Sequence, residues 1–535
     1  MSRRWTLGLF LVGLLVAISA ASFESAPGYM DADYYFAGAQ RLVSGQGDRE
    51  PYLWNYLNDP AGLPVVSFAY WMPMTAYVSA AGLWLFPTLG FWGARLGSIF
   101  LAALVPLLTA SLAGRLQEGP AAARLAGILA LFPGFYLAYQ TTTDAFPIYM
   151  VLGSLFFLMV SGSGSGRFLR ANVEAGAFLL GILAGLFHLT RADGVLWLAG
   201  GLLAVWLWQR TARPKSILRL ALSLLVVLLG YGLVMAPWFA RNLAEWGSLL
   251  PPGGSRALWI TEYEQTMIYP ASQLSPTSWL AAGWGAHLQA RITALGLNLQ
   301  TFIAVQGGIV LFPFILAGMW KLRRSPVVQL GGGMWLLTAV MMTVIFPFAG
   351  GNGGFFHSGA AFQPLLWAVV PTGVESLMLG YARWRRMSWP QGMVRFMAGL
   401  LVVAALLLSV LLYFQRVIGS EPGDPVWSAS DRHYRVVEQT LIEYGAQEGD
   451  SVLVNNPPGY WVAARRPAVV IPSGDENVLL AVARQFDVQY VVLERTNPRQ
   501  LSKLYHGQVT PLELEYLTTV GSTRLYRINQ SGEGR

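Results

Sequence analysis

Of 535 residues, 54% are hydrophobic and 12% are charged, where a soluble domain carries about a quarter charged residues, so an ordinary soluble globule is excluded. The absence of cysteine excludes disulfides, thiol nucleophiles and thiolate metal sites, and none of the five histidines stands in an HExxH arrangement. The net charge of +8 does not point to nucleic acid, because the basic residues gather in short loops between apolar runs.

Residues 5–21 follow Arg3 and Arg4 and end near Ala20 and Ala21, a pattern shared with signal peptides. The many apolar runs downstream favour an uncleaved first span. Further runs near 93–113, 121–138, 144–160, 175–190, 194–208, 217–237, 299–320, 327–347, 360–380 and 393–414 bring the expected spans to about eleven. Arg115 and Arg124; Arg167 and Arg170; Arg210, Arg213, Lys215 and Arg219; Lys321, Arg323 and Arg324; and Arg383, Arg385 and Arg386 occupy alternate loops. The positive-inside rule assigns those loops, and the N-terminus, to the cytoplasm. Asp31, Asp33, Asp48, Glu50, Asp59, Asp144, Glu245, Glu262 and Glu264 fall on the opposite side. Residues 71–86 are long enough to span, but that would turn every later basic loop outward, so they are placed at the outer interface.

The expected architecture is an all-α polytopic membrane protein with a small C-terminal extracytoplasmic α/β domain. Residues 1–414 form the transmembrane domain, with outer loops at 22–92 and 238–298 and a Gly-rich one, GGNGGFFHSG, at 350–359. SGSGSG at 161–166 matches no phosphate loop and reads as a linker. No internal repeat is visible. In residues 415–535 a helix is expected over Tyr434 to Tyr444 and another over Glu476 to Phe486. Short buried strands are expected at Ser451 to Val454, Ala468 to Ile471 and Gln489 to Leu493.

The first outer loop reads PGYMDADYYFAGAQRLVSGQG. Relative to Asp31, Tyr35 lies at +4, Ala39 at +8, Leu42 at +11 and Gly45 at +14, the spacing of a short helix closed by glycine. Asp31 and Asp33 would stand at its positive end, either as caps or as a general base toward a hydroxyl. Thr143-Asp144 before the next apolar run suits a helix N-cap. His188, Arg191 and Asp193 interrupt the apolar stretch from Ala175 to Trp208, where an Arg191 to Asp193 pair staples a helix hairpin or faces a phosphate. Arg241 and Arg256, in the second large loop, are candidates to clamp a phosphate. His357 is weighed as a substrate contact against an ordinary interfacial histidine. Trp54, Tyr56 and Trp71 suit stacking on sugar faces.

These stretches resemble the C-type glycosyltransferase superfamily, in the bacterial branch related to protein mannosyltransferases and to the aminoarabinose transferase of lipid A. The acidic first loop carries the likeness. YWMPMTAY and ARLGS within 70–98, TTTDAFP at 141–147, LTRADG at 189–194 and APWFARN at 236–242 follow in order. The match covers much of residues 1–250 and leaves the C-terminal domain out. The resemblance implies a polyprenyl-phosphate sugar donor in the membrane lipid, an acceptor hydroxyl of unstated kind and an inverting transfer. It further implies Asp31 as base, Asp33 as the alternative, and Asp144 as a supporting acid. Many members have Asp-Glu where this chain has Asp31-Ala32; the +4, +11 and +14 pattern favours Asp31. Branches of the superfamily differ in metal use, so the resemblance leaves a divalent cation open. The rival readings are a transporter or flippase of lipid-linked sugars, which usually shows repeated halves, and a non-catalytic scaffold, which needs no clustered acids.

Overall fold

The computed structural model describes residues 2–117, 119–162, 173–211, 216–387 and 390–529. Arg167, Arg170, Arg213, Lys215 and most of the SGSGSG run lie outside the described residues. Among these residues, eight helices are long and apolar enough to cross a membrane. They are Arg3–Ala21 (α1), Phe91–Leu116, Val173–Thr190, Ala192–Arg210, Ile217–Trp246, Pro326–Ile345, Pro347–Trp384 and Gln391–Ile418.

The other three expected spans take shorter or broken forms. Residues 121–138 form the helix Pro120–Leu129, after which Pro133 and a left-handed Gly134 turn the chain into a 3-10 segment, Gly134–Ala138. The helix Phe146–Gly162 lies at the centre of the bundle, with Phe146, Tyr149, Met150, Phe156 and Phe157 fully buried. It is screened from lipid by its neighbours, which is why a short apolar helix suffices there. The span at 299–320 breaks at Gly308, whose φ is positive, into Thr301–Gln306 and Phe312–Lys321. The second outer loop also ends earlier than its expected limit at 298, because Gly283–Gln300 is a helix that leads into this span.

Small residues set the closest helix contacts. A Cβ on Gly181 would lie 2.1 Å from the Val227 carbonyl oxygen, and one on Gly153 would lie 1.9 Å from that of Ala361. Both contacts therefore require glycine, as close packing between membrane helices generally does.

In the first loop, α2 (Met30–Val43) precedes the strands β1 (Arg49–Glu50), β2 (Tyr52–Leu53) and β3 (Val65–Val66), and α3 (Met74–Leu85) follows. At 12 residues, α3 reaches about 18 Å, too short to cross, and its far end leaves Trp84 and Leu85 exposed.

The C-terminal domain contains β4 (Ser451–Val454), β5 (Ala468–Val470), β6 (Val488–Leu493), β7 (Leu514–Val520) and β8 (Thr523–Ile528). Its helices are Ala429–Glu443, Pro457–Ala464, Glu476–Gln485 and the single turn Ser502–Tyr505. The expected strands and both expected helices are present. The helix Pro457–Ala464 and the β7–β8 hairpin are additional.

The sheet runs β2-β5-β4-β6-β8-β7, so its first strand comes from the membrane domain's first loop. β2 lies parallel to β5, with Tyr52 opposite Ala468 and Leu53 opposite Val469. Tyr56 follows this strand into the domain's core, where it is fully buried and its hydroxyl donates to the Val470 carbonyl. That burial removes Tyr56 from the residues able to stack on a sugar. Trp54 and Trp71 stay partly exposed and stack on each other, with ring centroids 4.2 Å apart.

Candidate active site

The first turn of α2 carries Asp31 and Asp33, and 100° per residue sends them to different partners. Asp31 faces the membrane helices. Its Oδ2 lies 3.3 Å from His357 Nε2, and Asp144 Oδ2 lies 3.1 Å from the same nitrogen. Donor atoms of these three side chains all fall within 4.8 Å of one another. Asp33 turns toward the C-terminal domain, where it is buried and accepts a 2.8 Å hydrogen bond from Asn456 Nδ2.

His357 reaches this point from a short helix, Phe355–Gly359, that follows the Gly-rich loop. Its Nδ1 lies 2.9 Å from the Gly353 carbonyl oxygen and its Nε2 faces the Asp31 and Asp144 carboxylates; carbonyl and carboxylate oxygens only accept, so both ring nitrogens donate and the imidazolium charge meets the two acids. Phe146, two residues after Asp144, stacks on the imidazole at 4.3 Å and fixes the ring plane. Loss of the Nε2 proton would leave two carboxylates and a ring lone pair facing one point, a donor set suited to a divalent cation.

The two acids differ in access. The Asp144 side chain is 1% exposed, and it receives the Tyr29 hydroxyl and the Ala145 N–H as well as the contact with His357. Burial works against its charge, but His357 and those two donors together hold its carboxyl below the usual carboxylate range. The Asp31 side chain is 27% exposed and keeps one face open. Burial pushes its carboxyl up to about 6; His357 pulls against that and the Asp144 charge adds to it.

The remaining expected site residues divide into two groups. Arg191 Nε pairs with Asp193 Oδ1 at 2.9 Å, and Asp193 Oδ2 accepts the Ser358 hydroxyl at 2.6 Å, which links this pair to the residue next to His357. Among the described residues Arg191 makes its hydrogen bonds through Nε alone, so the far end of the guanidinium stays available. Tyr35, one turn beyond Asp31, is buried against Trp71 and lies within the electrostatic reach of Asp144 and Arg191.

Arg241 and Arg256 are held elsewhere. Arg241 donates to the Ser67 carbonyl and lies over the Trp238 and Trp246 rings, at 4.6 and 5.0 Å. Arg256 pairs with Asp59 at 2.5 Å and donates to the Leu57 carbonyl, stapling the two outer loops together. Neither stands with the carboxylate cluster. His188 hydrogen-bonds the Tyr231 hydroxyl within the bundle.

Sequence reasoning missed Glu24, which lies fully buried beside Arg95 at 3.5 Å and accepts the Thr141 hydroxyl at 3.0 and 3.1 Å. An acid just after an apolar span, with an arginine at the start of the next, was the available clue.

No protein-family model matches the chain, and no curated protein matches it in sequence. Solved structures do match its fold. The archaeal oligosaccharyltransferase AglB from Archaeoglobus fulgidus, in complex with an inhibitory peptide and a dolichol-phosphate, aligns over 98% of this chain and 74% of its own. The TM-score is 0.56 and the identity 16%. The Archaeoglobus fulgidus oligosaccharyltransferase in complex with Zn and sulfate aligns over 97% and 73%, at a TM-score of 0.56 and 15% identity. ArnT from Cupriavidus metallidurans, bound to undecaprenyl phosphate, aligns over 99% of both chains, at a TM-score of 0.56 and 15% identity. The chain has the C-type glycosyltransferase fold. It is thus a multi-pass membrane protein. Within the C-type fold, the C-terminal domain that the sequence motifs left out is also covered by the alignment to ArnT.

Proposed function

We propose that this protein is a membrane glycosyltransferase that moves a sugar from a polyprenyl-phosphate carrier to an acceptor hydroxyl, with Asp31 as the base. The observation that carries this reading is the convergence of Asp31, Asp144 and His357 at the loop-side end of a C-type fold. The solved ArnT and oligosaccharyltransferase structures that share the fold contain undecaprenyl phosphate and dolichol-phosphate, which supports a lipid-phosphate donor.

Of the two acids in the cluster, Asp31 is the accessible one, and its open face can receive the proton of a hydroxyl. It takes the proton from the acceptor hydroxyl as that oxygen forms a bond to the anomeric carbon. The bond from that carbon to the phosphate oxygen breaks on the opposite side, inverting the configuration and releasing polyprenyl phosphate. The free end of Arg191 is placed to meet the phosphate, where a guanidinium matches two oxygens and stabilises the leaving charge. Asp193 and Ser358 hold that guanidinium in place. Trp54, Trp71 and Tyr70 form an aromatic wall suited to a sugar face.

Asp31, Asp144 and His357 would hold a divalent cation, and the Zn-containing oligosaccharyltransferase structure supports that assignment. Bound there, the cation would neutralise the carboxylates and polarise the donor phosphate. The positive-inside rule supports a cytoplasmic N-terminus and an extracytoplasmic active site and C-terminal domain.

Turnover of a labelled polyprenyl-phosphate sugar by the purified chain tests the reading. Asp31→Asn is expected to abolish transfer and Asp33→Asn to retain most of it. Full transfer by Asp31→Asn would overturn the assignment of the base.

A further inference from the structure

Asp31 sits in the first turn of α2, and that turn has no cap of its own: the N-cap residue Tyr29 makes no side-chain bond to the helix start. The first turn is held from outside. The carbonyl of Ala32 accepts the Thr143 hydroxyl at 2.8 Å, and the carboxylate of Asp33 accepts Asn456 Nδ2 at 2.8 Å. The two residues that follow Asp31 are thus each tied to a distant part of the chain.

Both ties are built to be stiff. Thr143 and Ala32 are fully buried, and Thr143 immediately precedes Asp144, so one hydrogen bond sets the first acid against the second. The same loop is fixed further back by Thr142, whose hydroxyl donates to the Pro27 carbonyl at 3.0 Å. Asn456 is engaged at both ends of its amide. Its Oδ1 accepts the Gly459 N–H at 3.0 Å, capping the helix Pro457–Ala464, while its Nδ2 serves Asp33. That helix lies hard against α2: a Cβ on Gly459 would come 2.7 Å from Asp33 Oδ2.

We propose that Thr143 and Asn456 are positioning residues that keep Asp31 in register with Asp144 and His357, an inference that rests on the site reading above. The C-terminal domain is then part of the active-site frame. Metal and catalytic groups lose function when displaced by about half an ångström, so a helix start without its own cap needs such support.

Asn456→Asp separates this role from folding. It keeps the oxygen that caps its helix, removes the donor to Asp33 and sets two carboxylates face to face. Asp33→Asn combined with Asn456→Asp reverses donor and acceptor and rebuilds the hydrogen bond. Mn2+ binding and turnover are measured on the purified full chain in nanodiscs, with thermal unfolding as the folding control. Asn456→Asp is expected to weaken Mn2+ binding about tenfold and the reversed pair to return it to within about twofold, as for groups that orient metal ligands. In turnover, kcat falls for Asn456→Asp with KM for the donor unchanged, and the reversed pair recovers it. Thr143→Ser retains both properties and Thr143→Ala loses both.

Wild-type behaviour of Asn456→Asp and Thr143→Ala in both measurements overturns the proposal. So does a reversed pair that stays as impaired as Asn456→Asp. If the wild type binds no Mn2+, the cation assignment fails and the turnover arm decides the positioning role. If Asp31→Asn keeps full turnover, the base assignment fails and the Mn2+ arm decides it.

Discussion

Two buried charged clusters hold the first loop to the membrane helices, and their balance differs. In one, Glu24 meets Arg95, both fully buried, with the Thr141 and Tyr413 hydroxyls completing the carboxylate. It joins the end of α1, the start of Phe91–Leu116, the loop before Asp144 and the helix that carries Tyr413. In the other, Asp31 and Asp144 converge on one nitrogen of His357, a group that is charged only while it holds its proton. The opposed pair acts as a staple, because each charge has its partner inside the protein. The second set has two acids for one exchangeable proton, so a divalent cation could take that proton's place, and one of its acids is reachable from outside.

The largest effect that sharpens this contrast is on catalysis. Asp144→Asn should lower sugar transfer by about a hundredfold, the scale of damage to a metal site, with the unfolding temperature nearly unchanged. Initial rates on a labelled donor check it. Arg95→Met should do the reverse. It leaves Glu24 buried without its partner and should cost about 3–5 kcal/mol of stability, whereas Glu24→Gln together with Arg95→Met should recover most of it. Unfolding in detergent measures both.

A smaller effect is expected at Arg191. Arg191→Ala should raise KM for the donor tenfold to a hundredfold, corresponding to about 1.5–3 kcal/mol for a hydrogen bond to a charged group, with Arg191→Lys falling between. Steady-state kinetics against donor concentration decide it. The smallest effect belongs to Arg256→Ala. The pair with Asp59 is partly exposed, so its loss should change stability by less than about 1 kcal/mol and leave transfer intact. A large fall in transfer there would return Arg256 to the site.

The features legible in the sequence are those that local pattern encodes. Apolar runs marked the membrane helices, charge asymmetry kept α3 out of the spans, and the +4, +11 and +14 spacing marked α2 as a helix that begins with its acids. Short buried strands at 451–454 and 488–493 were visible because both of their faces are apolar. The hairpin β7–β8 was not, since β7 is half exposed and reads as mixed polarity.

What escaped was long-range convergence. His357 stands more than two hundred residues from Asp144, behind a run of glycines that resembles a plain loop. Tyr56 looked like an exposed aromatic, but β2 carries it into another domain's core. Asp33 looked like a solvated acid beside Asp31, but its carboxylate lies buried against Asn456, the cap of the helix Pro457–Ala464. In each case the deciding partner lies on a separate element, and no spacing rule along the chain reports it.

The most direct test of the cluster of Asp31, Asp144 and His357 is chelation followed by titration of Mn2+ into the purified chain while sugar transfer from a labelled polyprenyl-phosphate donor is followed. The wild type should lose transfer on chelation and regain it with Mn2+, and Asp144→Asn should regain none. Undiminished transfer after complete removal of divalent ions, or full recovery by Asp144→Asn, would contradict the account.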